Sequence, residues 1–499
     1  MEQWRVALAI VMMVNGFGCS FGNVVTLDVK HMFAGQERML SAMKAHDMRR
    51  HARLLSTVDI DIPLGGDGHA TGAGYVSSSF LFFSSPSTLN PIICRLYFAK
   101  LLIGNPLKEY HVQVDTGSDL LWLNCVGCDK CPKESSLGLE QKPYDPKKSS
   151  TSSLVYCKDD FCSAAHAGKL DHCDSNSQCE YYVVYGDGSG NAGYFVKDTV
   201  QLQQVTGNLQ TAPTNGTIVF GCGSKRTGEL GTSSEAVNGI IGFGQANSSV
   251  ISQLAASGKV KKKFAHCLDN VEGGGIFAIG EVVAPQIKRT RMVPRQLHYK
   301  VTMKQVQIGD TIIKLETSFF GGVDENAAII DSGTTLSYLP TKINNQIITS
   351  GKSLKIEKVD GQFSCFKFDK NVDDEFPVIK LHFRDSLVLT VYPHDYLIKY
   401  SDDMRCIGWQ PNGAKTEEED VILLGDLVLS NKLVIYDIEN QTIGWAEYNC
   451  TSNVKVKDAK TGTEYMVGAH TISSTSSVTI GGILILLPIL CHLLHFPIP

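Results

Sequence analysis

A chain of 499 residues, 43% hydrophobic and 19% charged, can bury a large core and divide into two or more lobes, which excludes a disordered polyelectrolyte. Its formal net charge of -5 supplies no basic field, so nucleic acid is set aside as a partner.

In chain order, the stretch from Trp4 to Gly22 has a short charged start, an apolar run and then small residues, which predicts a signal peptide over 1–22. A buried N-terminal helix is the other reading. From Val29 to Leu55 apolar residues recur at roughly helical spacing among basic ones, including Arg49, Arg50 and Arg53, inside a candidate prosegment over 23–70. Tyr75 to Arg95 is apolar and serine-rich, and it carries Cys94. Removing it would join Gly74 directly to the strand-like run beginning at Leu96, and its ends can be encoded by splice-like sequences. The expectation for 75–95 is a retained intron; the alternative is an exposed loop with an apolar "FLFF" patch and a free thiol.

Between 96 and 450 the pattern is short apolar or alternating runs broken by Gly, Asn, Asp and Pro, which predicts a mostly β protein. A first lobe is expected over 96–281, a connection with two prolines over 282–295, and a second lobe over 296–450. Each lobe repeats one device. Asp115-Thr116-Gly117-Ser118 follows an apolar strand and precedes "NGIIGFG" at Asn238; Asp331-Ser332-Gly333-Thr334 follows "AAII" and precedes "VILLGD" at Val421. Either tetrapeptide alone reads as a surface turn. Repetition of the whole context in both halves argues for a paired site.

Fifteen cysteines fit an exported protein. Setting aside Cys19, Cys94 and Cys491 leaves twelve, enough for six disulfides. Cys125, Cys128 and Cys131 have zinc-like spacing, but no second pair completes a metal module, so disulfides are expected there and no metal. Sequons at Asn215, Asn247, Asn440 and Asn449 are glycosylation candidates. Past a spacer over 451–477, residues 478–499 are apolar with no basic stop sequence. That pattern predicts a glycosylphosphatidylinositol signal, with a tail-anchored span or a plain hydrophobic terminus as alternatives, and places the protein in the secretory pathway at the outer face of the plasma membrane or secreted to the cell wall.

The duplicated motifs resemble those of the pepsin-like aspartic peptidases, over most of Leu96 to Cys450. The resemblance implies a bilobal β fold with its cleft between the lobes, and Asp115 and Asp331 as a catalytic pair that needs no cofactor. It also implies that Ser118 and Thr334 bond the outer carboxylate oxygens, that Thr116 and Ser332 lock the turns together, and that Gly117 and Gly333 allow close approach. Tyr185, before a glycine-rich hairpin tip, would be the flap tyrosine, and Trp122 its neighbour. The cysteine-rich segment 125–179 resembles an insertion of the plant nepenthesin-like branch. Cys365 with Cys406 and Cys267 with Cys450 are the pairings it suggests, and the basic residues of 29–55 resemble a prosegment that covers an acidic cleft. The substrate would be a peptide or protein, the enzyme a monomer held to the membrane by its lipid. A pepsin-fold binding or inhibitor protein and a glycosylated adhesin are the rival functions.

Overall fold

The computed structural model describes residues 24–31, 97–166, 173–185, 189–231, 236–269, 274–284, 286–315, 326–349, 354–359, 363–411 and 422–468. The expected signal peptide, most of the prosegment with its three arginines, the 75–95 insertion with Cys94, and the 478–499 tail lie outside these residues. Among the described residues no helix is long and apolar enough to cross a membrane.

The fold is mostly β and bilobal, as the alternating pattern predicts. In the first lobe the strands are β1 (Val25–His31), β2 (Tyr97–Ile103), β3 (Lys108–Asp115), β4 (Trp122–Asp129), β5 (Glu180–Val184), β6 (Gly190–Gly207), β7 (Gln210–Thr227) and β8 (Gly239–Gly242). They continue with β9 (Lys263–Asp269), β10 (Gly274–Ile279) and β11 (Glu281–Val282). After β12 (Arg289–Arg291), the second lobe is built on β13 (Lys300–Ile308), β14 (Ala327–Ile330), β15 (Ser337–Leu339) and β16 (Ile422–Leu424). β17 (Lys432–Asp437) and β18 (Thr442–Glu447) return to the first lobe, and β19 (Val454–Lys457) with β20 (Glu464–Val467) ends the described chain.

The duplication read in the sequence is a duplication of topology. In the first lobe β8 pairs in parallel with β3, bringing Gly242 opposite Asp115, and antiparallel with β4. In the second, β16 pairs in parallel with β14, bringing Leu424 opposite Ile330, and antiparallel with β15. Each apolar-Gly strand therefore threads between the strand that delivers an Asp turn and the strand that leaves it. Glycine is needed where they cross: a Cβ on Gly425 would lie 2.2 Å from the Leu336 carbonyl oxygen, and one on Gly242 would lie 2.4 Å from the Asp119 carbonyl carbon.

The lobes share a sheet, because β9 of the first pairs along its length with β17 of the second, from Lys263 opposite Asp437 to Cys267 opposite Leu433. Strand periodicity gives this sheet two buried faces. Phe264, Phe277, Val434 and Tyr436 point into the main core, whereas Ala265, Cys267, Ile276, Ala278, Leu433 and Ile435 form a second core on the opposite face.

Two segments expected to flank the lobes contribute strands to the described body. β1, at the start of the expected prosegment, lies within the sheet between β10 and β2, and Val29 to His31 are extended there rather than helical. Val25 and Leu27 are buried on it, and the rest of the stretch with helical spacing, 32–55, lies outside the described residues. The expected spacer begins instead with the hairpin β19–β20, which pairs with β11 and buries Val454, Val456 and Val467 in the second core. Alternation of valine with lysine in "VKVK" is the half-buried strand signal that its polar composition concealed.

Candidate active site

Asp115 ends β3 and Asp331 directly follows β14, and both are wholly buried. Their turns satisfy them alike. The Gly117 N–H donates to Asp115 Oδ1 at 2.8 Å and the Gly333 N–H donates to Asp331 Oδ1 at 2.8 Å. The Ser118 hydroxyl donates to Asp115 Oδ2, and the Thr334 hydroxyl donates to Asp331 Oδ2 at 2.7 Å. A buried carboxylate requires such donors. The turns face each other: a Cβ added to Gly117 would stand 2.6 Å from Cγ of Asp331.

The lock between the turns is asymmetric. Thr116 Oγ1 accepts from the Ser332 N–H at 2.9 Å and reaches the Ile330 carbonyl at 3.5 Å. Ser332 contributes through its backbone, and its buried hydroxyl has no hydrogen-bond partner among the described residues. The physical difference is the β-branch, which makes threonine stiff at χ1 where serine is not.

Tyr185 and Trp122, 63 residues apart, come together: the indole N–H donates to the Tyr185 hydroxyl at 2.6 Å. Trp122 opens β4 with its side chain fully buried, and Tyr185 follows β5, its N–H bonded to the Ser189 carbonyl at 2.8 Å across the hairpin. The hairpin tip, 186–188, lies outside the described residues.

Two residues beneath the turns went unrecognised in the sequence. Tyr436 on β17 is buried, its hydroxyl bonded to Thr116 and 3.1 Å from His266 Nε2 on β9. Burial, reinforced by the Asp331 and Asp426 carboxylates, holds this phenol well above its ordinary range. Burial also pushes His266 down to about 3. The sequence signal was a polar ring at an inward position of an apolar strand in "FAHCL" and "KLVIYD", which alone reads as core packing.

Among the described residues the cysteines form six disulfides: Cys125–Cys222, Cys128–Cys131, Cys157–Cys173, Cys162–Cys179, Cys267–Cys450 and Cys365–Cys406. The sulfurs at zinc-like spacing are thus tied to one another and to Cys222. Asn215, Asn247, Asn440 and Asn449 are all exposed, and the Asn440 amide donates to Asp437 at 2.9 Å.

Residues 97–281 match the family model described as xylanase inhibitor N-terminal, and 298–447 match its C-terminal counterpart. The chain is 50% identical to aspartic proteinase 36 of Arabidopsis thaliana over 95% of this chain and 94% of that protein. It is 46% identical to aspartic proteinase 39 of the same plant, over 89% and 88%. Among solved structures, conglutin gamma, a basic 7S globulin from lupine seeds, superimposes with a TM-score of 0.59 at 16% identity, covering 86% of this chain and 96% of its own, a likeness of fold. Matched along nearly its whole length by aspartic proteinases and over both lobes by one pair of family models, the chain belongs to the plant pepsin-like aspartic protease family.

Proposed function

We propose that the protein is an aspartic endopeptidase that hydrolyses peptide bonds at acid pH, with Asp115 and Asp331 as its catalytic pair. The observation that carries this reading is the approach of two buried carboxylates on duplicated turns, Gly117 against Asp331. Two such groups do not both ionise readily, so they share one proton. The ionised aspartate takes a proton from a water whose oxygen adds to the scissile carbonyl carbon. Its protonated partner donates to the carbonyl oxygen, giving a tetrahedral diol. Transfer of a proton to the amide nitrogen breaks the C–N bond and leaves an acid and an amine. This chemistry needs neither metal nor organic cofactor. Tyr185, held by Trp122, would close over an extended peptide and exclude water.

The same reading has the protein made as a zymogen with a signal peptide over 1–22, glycosylated at its exposed sequons, and carried as a monomer to the outer face of the plasma membrane by a lipid attached between Gly468 and Ser474. A second reading is a non-catalytic binding protein, favoured by the inhibitor description of the matching family model. The two separate in one assay. Purified protein should cleave an extended peptide with bulky apolar residues at the cut, at mildly acid pH, and a statine-type inhibitor should block it. Binding of such peptides without cleavage would favour the second reading.

A further inference from the structure

Arg226 is the next-to-last residue of β7 and only 2% exposed. One Nη donates to the Leu230 carbonyl at 2.8 Å and the other to the Val237 carbonyl at 3.4 Å, while Nε has no partner among the described residues. Among the described residues no carboxylate pairs with this guanidinium. Burial pushes it down only to about 10, so it keeps its charge at any pH at which a peptidase of this kind works. A buried cation that no carboxylate among the described residues pairs is costly, and an apolar side chain would fill the same space at less cost. Its position accounts for the charge. The guanidinium carbon lies 4.8 Å from the centre of the Trp122 ring, and the phenols of Tyr185 and Tyr181 interact with it electrostatically.

A cation on the face of an indole is attracted by the ring quadrupole and polarises the ring, which strengthens its N–H as a donor. That N–H donates to the Tyr185 hydroxyl at 2.6 Å. Because Tyr185 accepts from Trp122, its own proton has to point elsewhere. The two carbonyls that Arg226 holds lie on the segment between β7 and β8, so the same side chain fixes its charge to the framework beside the aspartate turn.

We propose that Arg226 is a positioning residue for the flap, whose charge, acting through the Trp122 ring, orients the Tyr185 hydroxyl. The assignment deepens the peptidase reading and rests on it for its kinetic consequence. It predicts that charge matters and shape does not. Arg226→Met, which keeps the stem, should lower kcat at least fivefold while KM changes less than twofold, and should move the indole N–H resonance of Trp122 in a proton–nitrogen spectrum. Arg226→Lys should restore most of kcat and return the resonance towards its wild-type position. Arg226→Gln serves as a second neutral variant if the methionine variant does not fold.

A neutral variant with a lowered melting temperature but wild-type kcat and an unmoved resonance would overturn the proposal. So would a folded Arg226→Lys variant that loses as much kcat as the neutral ones. If the wild-type protein cleaves no peptide, the peptidase reading fails by itself. The Trp122 resonance, assigned by its loss in Trp122→Phe, then still decides whether the charge acts on the ring.

Discussion

Gly117 leaves no room for a side chain, because its Cβ would fall 2.6 Å from Cγ of Asp331 and as close to one of its oxygens. Gly117→Ala should therefore push the two turns apart and reduce peptide cleavage at least a hundredfold, with a much smaller change in melting temperature; near-normal turnover would mean that the turns do not work in contact. His266 gives a second prediction at this scale. Its ordinary value of 6.5 falls to about 3 in the fold, so an unfolded chain takes up the proton first as pH drops. The stability contributed by keeping it neutral is whole above pH 6.5 and is lost as pH falls from 6.5 towards 3, at about 1.4 kcal/mol per pH unit. Thermal melts across that window should show Leu at position 266, made as His266→Leu, flattening the loss; an unchanged slope would place the acid sensitivity elsewhere. The aspartates were legible because each came with a repeated context. The one-sided lock of Thr116, the Tyr436–His266 pair and Arg226 were not, since each depends on what a strand from another part of the chain presents to it.

At the scale of elements, patterning carried the hairpins and the two lobes. "EYYVV" and "GNAGYF" pair as β5 and β6, and "KLVIYDIENQTIGWAEY" folds as β17 and β18. At both edges of the body, basic residues around β1 and the lysines of β19 accompany strands whose apolar side chains face a core. The hairpin β19–β20 covers the face of the shared sheet that carries the Cys267–Cys450 disulfide, and its Met466 carbonyl accepts from the Leu209 N–H at 2.7 Å. Ending the chain at Asn453 should uncover that face and cost roughly 1.5 kcal/mol or more for each of three buried valines. The readouts are a lower melting temperature and greater binding of an apolar dye. A truncated protein as stable as the full chain would show that the hairpin is not part of the core.

For the whole molecule, the shared sheet sets the aspartate turns and the end of the described chain apart. Tyr436 reaches Thr116 from one face, and Val467 packs on the other. If the tail is exchanged for a lipid, a phosphatidylinositol-specific phospholipase should release the protein from membranes, and an epitope at the C-terminus should be missing from the mature form; an epitope that persists would favour a protein span. The central claim concerns catalysis, and the most direct test is cleavage of one peptide by the wild type, Asp115→Asn, Asp331→Asn and the double variant, with melting temperatures recorded alongside. Two carboxylates acting as a unit predict that each single variant loses activity nearly as completely as the double while remaining folded. Either single variant retaining near-normal cleavage would contradict the account.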